Sequence, residues 1–131
     1  MNKFDKILGN IDASANLAVK NLKVSKKFYE DKLGLTQIDT EEEEVIALKS
    51  GNTIIYVYQS ENAGTNKATA VTWVVGEDLE DIVRNLKEKG VTFEHYDMPD
   101  MVHENDIHIF GDMKVAWFKD PDDNILNITS R

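Results

Sequence analysis

Asp78-Leu79-Glu80-Asp81-Ile82-Val83-Arg84-Asn85-Leu86-Lys87-Glu88-Lys89-Gly90 sets Leu79, Ile82, Val83 and Leu86 at i, i+3, i+4 and i+7, the spacing of one apolar helix face. Asp78 stands where an N-cap accepts from first-turn N–H groups, and Glu80 and Asp81 suit the positive helix start. Lys87 and Lys89 suit the other end, and Gly90 supplies a left-handed stop. The same grammar occurs earlier, from Asn21 as N-cap to Gly34 as stop, with Leu22, Val24, Phe28, Tyr29 and Leu33 as the apolar positions. Strand-like runs at 15–20 and 69–76 precede the two helices. Three more follow each: 35–40, 45–49 and 53–59, then 91–96, 113–119 and 125–129. Val19-Lys20-Asn21-Leu22 and Val75-Gly76-Glu77-Asp78-Leu79 align with a one-residue slip on each side of the shared leucine, so β-α-β-β-β occurs twice. The fold class expected is α+β, built of two tandem βαβββ modules.

The 131 residues make one domain, 1–131, with module 1 at about 11–59, a polar linker at about 60–67 (Asn62, Ala63, Gly64, Thr65, Asn66) and module 2 at about 68–130. Fifteen basic against twenty-four acidic residues give a net charge of −9, which repels phosphate backbones and argues against nucleic acid as a partner. The acidity serves solubility first, although it would also steer cationic ligands. No apolar run approaches the length that crosses a bilayer, so no membrane partner is expected. Absence of cysteine removes disulfides, thiolate nucleophiles and thiolate metal sites, and Met1-Asn2-Lys3-Phe4-Asp5 lacks the apolar core of a signal peptide; the cytosol is the expected compartment. Glu41, Glu42, Glu43 and Glu44 read as a solvated turn. Residues 97–112 form a long connection containing a short strand at 107–110, and long loops are often lids or binding loops. Asp120-Pro121-Asp122-Asp123-Asn124 is a tight turn in which Pro121 presets φ and the acidic side chains cap the backbone rather than form a paired-carboxylate site.

Two stretches carry a family resemblance. Residues 19–34 follow Val-x-Asn-Leu-x-x-Ser-x-x-Phe-Tyr-x-x-x-Leu-Gly, and Ala116-Trp117-Phe118-Lys119-Asp120-Pro121-Asp122-Asp123-Asn124-Ile125-Leu126 is the more specific signature. With the paired module order, they make the chain, over about residues 11–130, resemble the vicinal oxygen chelate superfamily: glyoxalase, extradiol dioxygenases, fosfomycin-resistance enzymes and bleomycin-resistance proteins. Family members usually carry Gly where Asp123 stands, a position Asp tolerates because it can adopt positive φ. Tyr96-Asp97-Met98-Pro99 is similar to a stretch of a metal-free-looking subgroup. The resemblance implies curved mixed sheets around a pocket, and a homodimer. It also implies four metal-ligand positions on the first and last strands of each module, which map to Ser14, Tyr56, Ala70 and Asn127. Without a carboxylate or imidazole beside them, serine and asparagine oxygens bind Zn²⁺ or Fe²⁺ weakly, and alanine offers nothing. No metal and no cofactor are therefore expected.

Side-chain alternation along strands then proposes what lines the pocket: Ser14 and Asn16, Tyr56 and Tyr58, Ala70 and Thr72, and Asn127 and Thr129, with Trp117 on the same side and Trp73 and Phe118 packed against the helices. Aromatic faces among neutral hydrogen-bonding groups suit a planar organic ligand, aromatic or cationic. The competing reading is that Tyr56 and Tyr58 fill a closed core. His95, His103 and His108 lie in or near the long connection; with Glu104 and Asp106 they resemble no known metal spacing and read as solvated loop residues, one of them suited to proton transfer. No phosphate loop or nucleophile elbow is present. Two functions remain: a metal-independent small-molecule-binding protein, or a lyase, isomerase or dioxygenase with a divergent metal or acid–base site.

Overall fold

The computed structural model describes residues 8–38 and 44–131. Glu41, Glu42 and Glu43, the body of the expected acidic turn, lie outside the described residues. Module 1 consists of β1 (Ala15–Val19), α1 (Leu22–Lys27), β2 (Thr36–Ile38), β3 (Val45–Ser50) and β4 (Thr53–Gln59). Asn21 caps α1 as expected, its Oδ1 accepting from the N–H groups of Lys23 (3.0 Å) and Val24 (3.2 Å). The helix then widens into a π-helical turn, Phe28–Lys32, and ends at Gly34 with φ of +78°, a conformation open to glycine without a Cβ penalty.

Module 2 consists of β5 (Thr69–Val74), α2 (Leu79–Glu88), β6 (Phe93–Glu94), β7 (Val102–Glu104), β8 (Ile107–Phe110), β9 (Met113–Lys119) and β10 (Ile125–Thr129). Asp78 makes no side-chain capping bond. A 3₁₀ turn, Gly76–Asp78, leads into α2 instead, and Asp78 at φ −82°, ψ 3° lacks the extended backbone that aims a cap at the first amides.

The sheets follow the order β1-β4-β3-β2 and β5-β10-β9-β8-β7, with β6 also on β9; β1–β4 and β5–β10 are parallel and the remaining pairs antiparallel. The repeat holds, with one addition. The expected strand at 91–96 shrinks to two residues because the β7–β8 hairpin takes the rest of that β9 edge: Phe93 and Glu94 face Phe118 and Trp117, whereas His108 faces Val115.

One face of each sheet builds the core. Leu17, Ile55, Val57, Ile46 and Leu48 do so from module 1, and Leu126, Ile128, Ala116, Phe118 and Phe93 from module 2, against Leu79, Val83 and Leu86 of α2. Trp73 stacks on Phe118 at 6.5 Å, on the helix side as expected. Burial of the leucine, isoleucine, valine and phenylalanine side chains among these supplies about 1.5–3 kcal/mol each before entropic costs.

The Asp120–Asn124 turn does more than reverse the chain. Asp120 Oδ1 accepts from the N–H groups of Asp122 and Asn124, both at 2.9 Å, while Oδ2 accepts from Tyr29 Oη at 2.7 Å and Asn124 Nδ2 at 2.8 Å. Asn124 Nδ2 also donates to the Ala18 carbonyl of β1, 2.9 Å away. The turn of module 2 is thus fastened to the helix and first strand of module 1. The linker docks on it as well: Ala63 is buried, and a Cβ built on Gly64 (φ +77°) would lie 2.5 Å from the Asp122 carbonyl. No helix among the described residues is long and apolar enough to cross a membrane.

Candidate functional site

The register separates the predicted site residues into two sets. On module 1, Asn16 pairs with Tyr56 and Ala18 with Tyr58, on the sheet face away from Leu17 and Val57. Tyr58 is 36% exposed and Tyr56 half-buried, so these rings do not fill a closed core; Ser14 and Asn16 are exposed. On module 2, Thr72, Asn127 and Trp117 form one cross-strand row, on the face away from α2. The crevice at the junction of the two sheets, lined by Ala15, Ser50, Ile54, Thr72 and Trp73 among others, takes only Thr72 from the predicted set.

Ala70 departs from the predicted alternation. A bulge lets Thr69 pair with Ile125 and Val71 with Leu126, so Ala70 has no partner on β10 and is exposed. Thr69 takes its place: Trp117 Nε1 donates to Thr69 Oγ1 at 3.1 Å. Because β10 runs between β9 and β5, the indole spans β10 and covers the Asn127 side of it.

This face collects unpartnered polar atoms. Tyr96 Oη, His108 Nδ1, Asn127 Oδ1 and Thr129 Oγ1 are four of the five buried side-chain polar atoms without a hydrogen-bond partner among the described residues. Thr129 and His108 both face Val115, and Asn127 faces Trp117, so these residues stand in adjacent rows of the same sheet face. Around them, Trp117 meets Tyr96 edge-on at 5.3 Å and His108 at 4.8 Å. Leaving a buried polar group unpaired costs about 1–3 kcal/mol, so the cluster marks a surface that gains by receiving partners.

His103 and His108 are bound into this wall on β7 and β8 rather than solvated in a loop, whereas His95 is the exposed loop residue expected. His108 is fully buried, His103 half-buried and only His95 exposed. Their hydrogen bonds fix their tautomers. His108 Nε2 accepts from the Tyr96 N–H at 2.9 Å, so Nδ1 carries the proton. His103 Nε2 lies 2.7 Å from the Tyr96 carbonyl and His95 Nε2 lies 2.7 Å from Asp106 Oδ1, so both of those nitrogens donate. Burial holds the His108 imidazole below the ordinary histidine range and His103 adds to this, while the Val115 backbone opposes it. Hydrogen bonds from Lys87 and His95 hold the Asp106 carboxyl below the usual carboxylate range. Burial pushes the Tyr96 phenol up, and Glu94 adds to it.

Ser14, Tyr56, Ala70 and Asn127 do not fit a metal ion: Ser14 and Ala70 are exposed, alanine has no donor atom, and Asn127 has no carboxylate or imidazole as fellow ligand. His108 cannot replace them, its one lone-pair nitrogen being engaged by the Tyr96 amide. Among the described residues no group of three or more His, Asp or Glu is placed to hold a metal.

His108, Tyr96 and Thr69 were not among the predicted site residues. Ile107-His108-Ile109-Phe110 alternates as a strand, a readable signal, but only its pairing with β9 shows which face His108 shares; the bulge that brings in Thr69 has no signature in the local sequence.

The glyoxalase/bleomycin resistance protein/dioxygenase superfamily model matches residues 10–128. No curated protein matches the sequence. Among solved structures, the chain resembles a glyoxalase/bleomycin resistance protein/dioxygenase from Alicyclobacillus acidocaldarius (TM-score 0.69, 15% identity, 92% of this chain and 90% of that one). It also resembles a lactoylglutathione lyase from Agrobacterium tumefaciens (0.67, 12%, 92% and 92%) and the fosfomycin resistance protein FosX from Mesorhizobium loti (0.67, 9%, 95% and 94%). At these identities the structures speak to the fold alone, and the agreement of the paired modules with a family model spanning nearly the whole chain places this protein in the glyoxalase/bleomycin resistance protein/dioxygenase superfamily.

Proposed function

We propose that this chain binds a small planar organic molecule without a metal ion, between its two modules, with the Trp117 face of module 2 as the main contact. The observation that carries this reading is the gathering of Tyr96 Oη, His108 Nδ1, Asn127 Oδ1 and Thr129 Oγ1, all unpartnered, beside the rings of Trp117 and Tyr96. A ligand that turns the indole away from Thr69 gives up one exposed hydrogen bond and gains access to neutral donors and acceptors flanked by aromatic walls. Tyr56 and Tyr58, open on module 1, supply further stacking surface, from the same chain or from the second chain of a homodimer. Neutral groups dominate the face, so shape and hydrogen bonding select the ligand before charge does.

The test is a thermal-shift and NMR screen of planar aromatic and cationic heteroaromatic compounds, with 2-naphthol as a neutral reference probe. Hits should shift the Trp117 indole resonance and weaken by about 0.5–1.5 kcal/mol per lost ring contact in Trp117→Ala, Tyr56→Ala or Tyr58→Ala, while Tyr56→Phe keeps most of the affinity. EDTA should leave binding and melting temperature unchanged. Stoichiometric Zn, Ni, Mn or Fe in the purified protein, or hits indifferent to all three alanine substitutions, would overturn the reading.

A further inference from the structure

Tyr96 stands where the chain leaves β9. Glu94 pairs with Trp117, so continued pairing would set Tyr96 against Val115, but β8 occupies that place with His108. The displaced backbone is recovered by imidazoles: the Tyr96 N–H donates to His108 Nε2 of β8, and the Tyr96 carbonyl accepts from His103 Nε2 of β7. Both main-chain polar groups of one residue are therefore held by side chains from the two strands of a single hairpin. The hairpin is tied down in turn through Asp106, which meets His95 at 2.7 Å and Lys87 of α2 at 2.5 Å.

We propose that His108 is a positioning residue which holds Tyr96 against Trp117 only while its imidazole is neutral, making the ligand face acid-sensitive. The proposal rests on the binding reading above for its functional meaning, but not for its test. Protonation at Nε2 would set an N–H donor against the Tyr96 N–H donor, at a separation that now holds a hydrogen bond of 2.9 Å. The titratable groups facing His108 are His103 from β7, with ring centroids 4.2 Å apart, His95 at 6.3 Å and Tyr96 at 6.1 Å from the segment after β6, and Asp106 from the β7–β8 turn; β9 contributes the uncharged Trp117 and the Val115 backbone. Only Asp106 is anionic, and its carboxylate is already engaged by Lys87 and His95, so a proton on His108 is left with cationic or neutral neighbours. The bond to Tyr96 then breaks, and the phenol ring that meets Trp117 edge-on loses its backbone anchor.

Tautomer-sensitive ¹⁵N NMR and amide exchange on the full chain test this. Near neutrality His108 should carry its proton on Nδ1, a measurement that needs no variant. As the pH is lowered below the ordinary histidine value of about 6.5 and through the His108 titration, protection of the Tyr96 amide, corrected for intrinsic exchange, should fall about tenfold, with a concerted shift of the Trp117 indole signal. His108→Gln, whose amide oxygen can accept from the same N–H without titrating, should keep Tyr96 protected across that range. An Nε2-protonated neutral tautomer, unchanged Tyr96 protection once His108 is charged, or the same pH profile in His108→Gln would each overturn the proposal. Failure of 2-naphthol and every other probe to bind, with the exchange profile as expected, would overturn the binding reading and leave the role of His108 supported.

Discussion

Tyr29 and Asp120 come from two separate sequence signatures and meet in one buried hydrogen bond of 2.7 Å. Burial pushes the Asp120 carboxyl up from the usual range, opposed by its bonds from Tyr29 and Asn124; burial and Asp120 push the Tyr29 phenol up. Tyr29→Phe removes one donor from a carboxylate that has lost its water, and should cost about 1–3 kcal/mol in urea unfolding with little change in fold. Of the two turn carboxylates expected to cap the backbone, Asp120 does so, whereas the Asp122 carboxylate accepts from Ser25 Oγ at 3.4 Å; neither reach into module 1 was legible, because the partners are 91 and 97 residues apart. Asp123 does adopt positive φ, +67°, where the family pattern has glycine. At His108 the pH dependence has a definite sign. Its folded value lies below the ordinary histidine value of about 6.5, so in acid the unfolded chain binds more protons than the folded one. Its contribution to stability is complete above about pH 6.5, is lost as pH falls toward the folded value, and levels off below it. Wild type should therefore lose stability relative to His108→Gln over that window, measured by urea unfolding at a series of pH values.

At the scale of elements, the two helix starts look alike in sequence and differ in physics. Asn21 has an extended backbone and caps two amides, whereas Asp78 follows a 3₁₀ turn and caps none. Asn21→Ala should cost about 1 kcal/mol and Asp78→Ala at most about 0.5 kcal/mol, the residual dipole interaction, in thermal or urea unfolding. Equal losses would show that the local backbone conformation does not govern capping here. Periodicity located β4, β9 and β10 to the residue, because each carries long alternating or β-branched runs between turn signals. It missed β7, whose Val102-His103-Glu104 is too short for a pattern, and overextended β6, whose edge of β9 is taken by another strand. The bulge at Ala70 escaped for a related reason: register is a property of the pair of strands.

For the whole molecule, apolar side chains remain open on the sheet faces: Tyr58 at 36%, and Val74 at 67% on the same face as Thr129. A chain this short buries limited apolar surface alone, and a second copy covering these faces would add to it. Sedimentation at micromolar concentration should give twice the 14.9 kDa of one chain, and Val74→Lys should shift the equilibrium toward monomer; a wild-type mass of one chain throughout would reject the dimer. Local sequence determined the elements, their order and their duplication, because hydrophobic period, capping residues and turn residues act over one to a few turns of chain. Residue type likewise set the expectation that Ser14, Tyr56, Ala70 and Asn127 hold no metal ion. Only the tertiary structure decided that the Asp120 turn fastens one module to the other, that Thr69 rather than Ala70 meets Trp117, and that a histidine expected in solvent lies buried against Tyr96. Each depends on which strand edge was left for another segment to occupy, and that competition is settled by packing between residues distant in the chain.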